Sequence, residues 1–216
     1  MYRIYLHVAV FVAMLSLVSC SETPSVKSAE TKPENTTKAA ETAANDPVSG
    51  KTAFWQMYKS AHSWSADLVP LSLESKTMAG MKSEAGRSMM WTATFGSLTK
   101  REARTFTFAV AAHGPDVIKG VTVGRALPWS GPRQDALAID TSDLSVDSDA
   151  AFKAALAEAS AWVSKHPDKQ VSVTLGNDSR FPAPVWLVMW GDRKLGYAVH
   201  VNAKTGAVVK EKQKAS

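Results

Sequence analysis

The sequence predicts an α+β protein: two helix-plus-antiparallel-sheet repeats after a signal peptide and a disordered tether. Three observations lead there. Apolar residues fall at helical spacing twice and at the same offsets, as Phe54, Met57, Tyr58, Ala61 and Trp64, then as Phe152, Ala155, Leu156, Ala159 and Trp162. Each such stretch is followed by runs of aromatic and branched residues that alternate with period two. Gly, Pro and Asn close those runs at turn positions.

The first element is residues 1–19. Arg3 precedes an apolar run from Val8 to Val18, and Ser19 stands before Cys20. That run falls short of the roughly 20 apolar residues that a mature spanning helix needs, so it reads as the apolar region of a signal peptide. Leu17, Val18, Ser19 and Cys20 resemble the bacterial lipobox, which implies a diacylglycerol on the Cys20 sulfur. The alternative is a secretory signal followed by an incidental cysteine. Cys20 is the only cysteine in the chain, so no disulfide can form within it. Ser21 after that cysteine resembles the sorting pattern of an outer-membrane lipoprotein facing the periplasm of the bacterial envelope.

Residues 20–46 follow as a linker. They are Ser, Thr, Ala, Glu, Lys, Pro and Asn with almost no large apolar side chain. Such a segment buries too little surface to offset its ordering entropy, so a flexible tether is expected. Residues 47–216 carry 21 basic and 15 acidic side chains. This mild excess suits a solvated face or an anionic envelope surface. Nucleic acid is not expected as a partner, since export separates the chain from it and no recognition motif is present.

The first repeat is expected over 47–125, a connector over 126–147 and the second repeat over 148–216. After the first helix come a short strand at Leu71 to Leu73, one from Trp91 to Gly96 and one from Phe106 to Val110, the last two joined by a long turn from Ser97 to Thr105. Val117 to Val123 predicts another strand, and Pro128 to Pro132 a bend. Asp143, Asp147 and Asp149 lead into the second helix, where negative charge suits a helix N-terminus. The second repeat then gives strands at Val171 to Leu175, Trp186 to Gly191, Tyr197 to Val201 and Ala207 to Val209. Asn202 and Gly206 mark its closing turn.

The second repeat resembles the PepSY and PepSY-like family of small envelope domains. The residues that carry this are the Phe152 to Trp162 helix, the Val185 to Trp190 strand, and the run from Gly196 through Asn202-Ala-Lys-Thr-Gly206. The resemblance covers residues 146–210, and residues 50–125 only through the repeat. It implies a cystatin-like fold and a role in modulating peptidases or in envelope interactions. It brings no catalytic residue.

The residues themselves offer no catalytic constellation. His62, His113, His166 and His200 have no metal-ligand spacing, and Asp140, Asp143, Asp147 and Asp149 lack the central Gly and terminal Glu of a calcium loop. No metal and no cofactor is expected. No serine stands in a nucleophile elbow. Of seven tryptophans, Trp64, Trp91, Trp162 and Trp186 occupy matching core positions, whereas Trp55 and Trp129 fall off the pattern and are the candidate partner contacts. The expected role is a lipid-anchored, non-enzymatic binding module for an envelope protein or peptide. A small-ligand or lipid carrier with a cavity between helix and sheet, and an enzyme of unrecognised type, remain open as alternatives.

Overall fold

Ser49 and Asp147 set the starts of the two helices. Each lies in extended backbone, and each uses its side chain to satisfy an amide of the first turn that has no partner within the helix. The computed structural model describes residues 46–81 and 83–210, so Cys20, the lipobox and the expected tether lie outside the described residues. Every described element belongs to the unit Asn35–Ser216.

Helix α1 (Gly50–Trp64) buries Ala53, Phe54, Met57 and Ala61, and α2 (Ser148–Val163) buries Ala151, Ala155 and Ala159. Phe54, Met57, Ala61, Ala155 and Ala159 belong to the predicted stripes, whose other members, Tyr58, Trp64, Phe152, Leu156 and Trp162, are partly buried against the same core. The strands are β1 (Leu68–Lys76), β2 (Ser83–Glu84), β3 (Arg87–Ser88), β4 (Met90–Ser97), β5 (Glu102–Ala109), β6 (Gly120–Pro128), β7 (Val171–Gly176), β8 (Val185–Trp190), β9 (Tyr197–Asn202) and β10 (Val208–Val209). Apart from the small β2–β3 hairpin, they form one eight-stranded sheet in the order β10-β9-β8-β7-β1-β4-β5-β6. All its pairings are antiparallel. The α+β class is therefore observed, with two helices on a large antiparallel sheet.

The two halves meet at β1 and β7, where Leu73 pairs with Leu175. Past Glu74–Thr174 the Ser75 hydroxyl takes over and accepts from the Val173 amide at 2.9 Å. The helix starts are related by 98 residues: Ser49 and Asp147, and Gly50 and Ser148, are hydrogen-bonded pairs of equivalent residues. In the sheet Ser75 lies opposite Trp91 and Leu175 opposite Trp186, so the equivalent residues there are Glu74 and Thr174, which pair across the seam. Equivalent residues of the halves thus touch, as they must near a two-fold axis. The same symmetry recurs further out: Trp91 Nε1 donates to the Val48 carbonyl at 3.1 Å, and Trp186 Nε1 to the Val146 carbonyl at 3.0 Å. Each strand tryptophan ties the sheet to the residue just before its own helix's cap.

Trp91 and Trp186 are fully buried, whereas Trp64 and Trp162, at the last turns of the helices, are only partly so. Between α1 and the sheet, Phe54, Phe95 and Phe106 fill the layer with rings 5.6–5.7 Å apart.

Two expectations are corrected, and one element is new. The β4–β5 turn is only residues 98–101, because Glu102 and Arg104, polar in sequence, already belong to β5. The strand expected at Val117 to Val123 runs over Gly120–Pro128, since a bulge opposite Thr105 lets pairing resume at Ala126, and Pro128 sits where an edge strand tolerates it. The β2–β3 hairpin has no apolar alternation to announce it.

Candidate binding groove

Alternation along β4 sends Trp91, Ala93 and Phe95 toward the helices and leaves Thr92, Thr94 and Gly96 on the opposite, helix-free face. In register beside them on β5 stand Thr107, Thr105 and Ala103. Hydroxyl side chains therefore dominate this face of the first half, with Thr94 and Thr105 oxygens 3.4 Å apart.

Trp129 covers one end of it. The bend after β6 brings the Trp129 amide to the Arg101 carbonyl at 3.0 Å. The indole then lies on Gly96: a Cβ there would fall 2.6–2.7 Å from three neighbouring atoms of the six-membered ring. Such near-equal distances mean that a ring face, not an edge, meets the glycine. Gly96 is the residue that makes this approach possible.

Between the bend and the sheet runs a groove of about 380 Å³. Leu71, Thr94, Ala103, Leu127 and Trp129 line it together with Arg133. The Arg133 guanidinium is 3.3 Å from Asp135 and remains mostly exposed. Aromatic surface, aliphatic surface, hydroxyls and one guanidinium are what this arrangement offers a ligand. No Asp, Glu, His, Lys or Cys lines it.

Trp55 is elsewhere. It is 39% exposed on α1, edge-on to Phe54 and Tyr58 at 5.2 and 5.3 Å. The helix covers the other face of the sheet, so the structure does not bring Trp55 and Trp129 together. Cys20 lies outside the described residues.

The remaining sequence candidates are separate too. His62 packs on Tyr58, and His166 stacks on Trp162 with Nδ1 2.9 Å from the Trp162 carbonyl. His200 lies on the face of β9 opposite its buried neighbours Val199 and Val201. Its ring lies 4.6 Å from the buried Phe181, whose loop partly covers it. Asp140 caps the short 3₁₀ turn Thr141–Asp143, and Asp147 caps α2. Among the described residues, no three His, Cys, Asp or Glu side chains gather as a metal ion would require.

Asp67 belongs to no motif of the sequence. Its carboxylate accepts from the Ser65 and Ser97 hydroxyls, each at 2.6 Å, and from the Thr99 amide at 2.8 Å. These bonds hold its pKa well below the usual carboxylate range, with Ser65 the largest contributor. They join the end of α1 to the β4–β5 turn whose last residue, Arg101, meets Trp129. Gly96 inside a strand was the one signal in the sequence that pointed to this side.

No family model matches the chain, and no curated protein matches it. A solved structure from Clostridium difficile 630, provisionally named a lipoprotein, aligns with 75% of this chain and 93% of its own. The identity is 14% and the TM-score 0.44, a likeness too distant to speak to function. No helix among the described residues is long and apolar enough to cross a membrane.

Proposed function

We propose that this chain is a lipid-anchored protein of the bacterial envelope, outer-membrane-bound through Cys20, whose folded part is a non-enzymatic binding module. The Trp129 groove takes up an extended segment of an envelope protein or peptide. The observation that carries this reading is the seating of Trp129 on Gly96, which fixes an aromatic wall over a hydroxyl-lined sheet. A preformed wall of that kind lowers the ordering cost of binding. The groove has hydroxyls but no acid or base side chain to activate them, which favours binding over turnover.

The helix–sheet layer is filled by Phe54, Phe95 and Phe106, which gives a carrier reading no support in that place. Peptidase modulation, the role that the PepSY-like resemblance implies, is one form such binding takes. Cross-linking at the groove in intact cells tests the reading. A partner captured by the wild-type chain and lost with Trp129→Ala, but retained with Trp55→Ala, is the expected result. Equal capture by all three chains would refute the groove as the binding site.

A further inference from the structure

The turn joining β8 to β9 projects an apolar side chain among cations. The Asp192 carboxylate accepts from the Lys194 and Leu195 amides at 2.7 and 3.0 Å, and the Gly196 amide returns to the Asp192 carbonyl at 2.8 Å. The tip is thus held in one shape, and Leu195 is 76% exposed, the most exposed large apolar side chain among the described residues. Arg193 and Lys194 are exposed beside it.

The α2–β7 connection adds to this end. The Gly191 amide donates to the Gln170 carbonyl at 2.8 Å, and a Cβ at Gly191 would lie 3.5 Å from the Lys169 Cδ. Lys165 follows the end of α2 and is exposed. The acidic groups here are Asp168 and Asp192, and the second is occupied by the turn's own amides. Behind the tip Trp162 and Tyr197, both half-buried, have rings 5.8 Å apart.

The equivalent turn in the first half differs in one respect. It also carries a leucine and two cations, Leu98, Lys100 and Arg101, but the bend reaches over it, with Leu98 Cδ2 3.5 Å from a Cβ placed on Gly131. Leu98 is 54% exposed, against 76% for Leu195.

We propose that the Asp192–Gly196 turn is a second membrane contact: Leu195 enters the interface of an anionic phospholipid surface while Arg193, Lys194, Lys165 and Lys169 lie among its headgroups. One apolar side chain projecting from a rigid turn and surrounded by cations matches the interface of an anionic bilayer in both charge and depth. Half-buried aromatics behind it suit the same boundary. The proposal rests on the reading that Cys20 places the chain at a membrane. It also orients the module, because β4 and β8 run in opposite directions and their turns lie at opposite ends of the sheet. The Trp129 bend then faces away from the bilayer.

The test uses residues 35–216, which contain every described element and no cysteine. An environment-sensitive fluorophore is attached through Leu195→Cys, or through Lys59→Cys on exposed α1 surface. Vesicles of phosphatidylglycerol with phosphatidylcholine should shift the label at 195 to the blue and leave that at 59 unchanged, and high salt should reverse the shift. Sedimentation of the unlabelled protein with the same vesicles should weaken about 30-fold when Arg193→Ala and Lys194→Ala are combined. No shift at 195, or equal shifts at both sites, would overturn the proposal. Because Cys20 is absent from this chain, failure of the lipid anchor itself is read separately, by fractionating cells that carry the full chain.

Discussion

The Ser49 hydroxyl donates to the Asp147 carboxylate at 2.6 Å, so the caps of the two helices are bonded to each other across the halves. The same carboxylate accepts from the Lys51 amide at 2.9 Å and from the Ser148 amide at 2.7 Å. One side chain therefore serves two helix N-termini, with the favourable electrostatics that an anion finds at each. Asp147→Ala should cost about 2 kcal/mol, near twice the loss of an ordinary cap. Asp149→Ala, in the first turn of α2 where the carboxylate faces Arg87 at 3.6 Å, should cost about 0.5 kcal/mol. Chemical denaturation of the two variants checks the difference.

Gly96 and Trp129 make a second pair whose coupling can be measured. Gly96→Ala puts a methyl group into the indole face and should destabilise by about 1–3 kcal/mol, the usual range for overpacking. In a Trp129→Ala background the same substitution should be close to neutral. A double-mutant cycle without coupling would contradict the stacking described above.

Acid should loosen the β4–β5 turn. The Asp67 pKa is lowered in the folded chain by the Ser65, Ser97 and Thr99 donors. A lowered folded value means that this carboxylate contributes stability at pH above its unfolded value of about 3.9, and that the contribution is lost as pH falls below it. Asp67→Asn should therefore flatten the fall in stability below about pH 4 relative to wild type. Unfolding measured across that range, with Asp116→Asn as a control, decides it.

Cys20→Ser should move the protein from the membrane fraction to the soluble fraction while its circular dichroism stays unchanged. Retention in the membrane fraction would count against the lipid anchor.

Much of the fold was legible because both helices and the inner strands carry strong apolar periodicity. Phe54 to Trp64 and Phe152 to Trp162 repeat at one offset, and Trp91 and Trp186 stand in buried strand positions where branched neighbours mark the alternation. What escaped is polar or irregular. Glu102 and Arg104 conceal the start of β5, and a two-for-one bulge carries β6 on to Pro128. Seating Trp129 on Gly96 required knowing that residue 129 folds back over a strand more than thirty positions earlier, which no local pattern encodes. The Asp67 cluster depends in the same way on a turn brought to the end of a helix.

The seam at β1 and β7 bears on how such a chain arises and what its pieces would do. Equivalent residues pair across it, Glu74 with Thr174 in the sheet and Ser49 with Asp147 at the caps. That is the geometry of a symmetric homodimer whose two subunits have been fused end to end. A fragment holding only one half would leave its β1-type or β7-type edge without a neighbour, and the cheapest remedy is a second copy of itself. Halves produced alone should therefore pair with themselves, rebuilding an eight-stranded sheet from two chains.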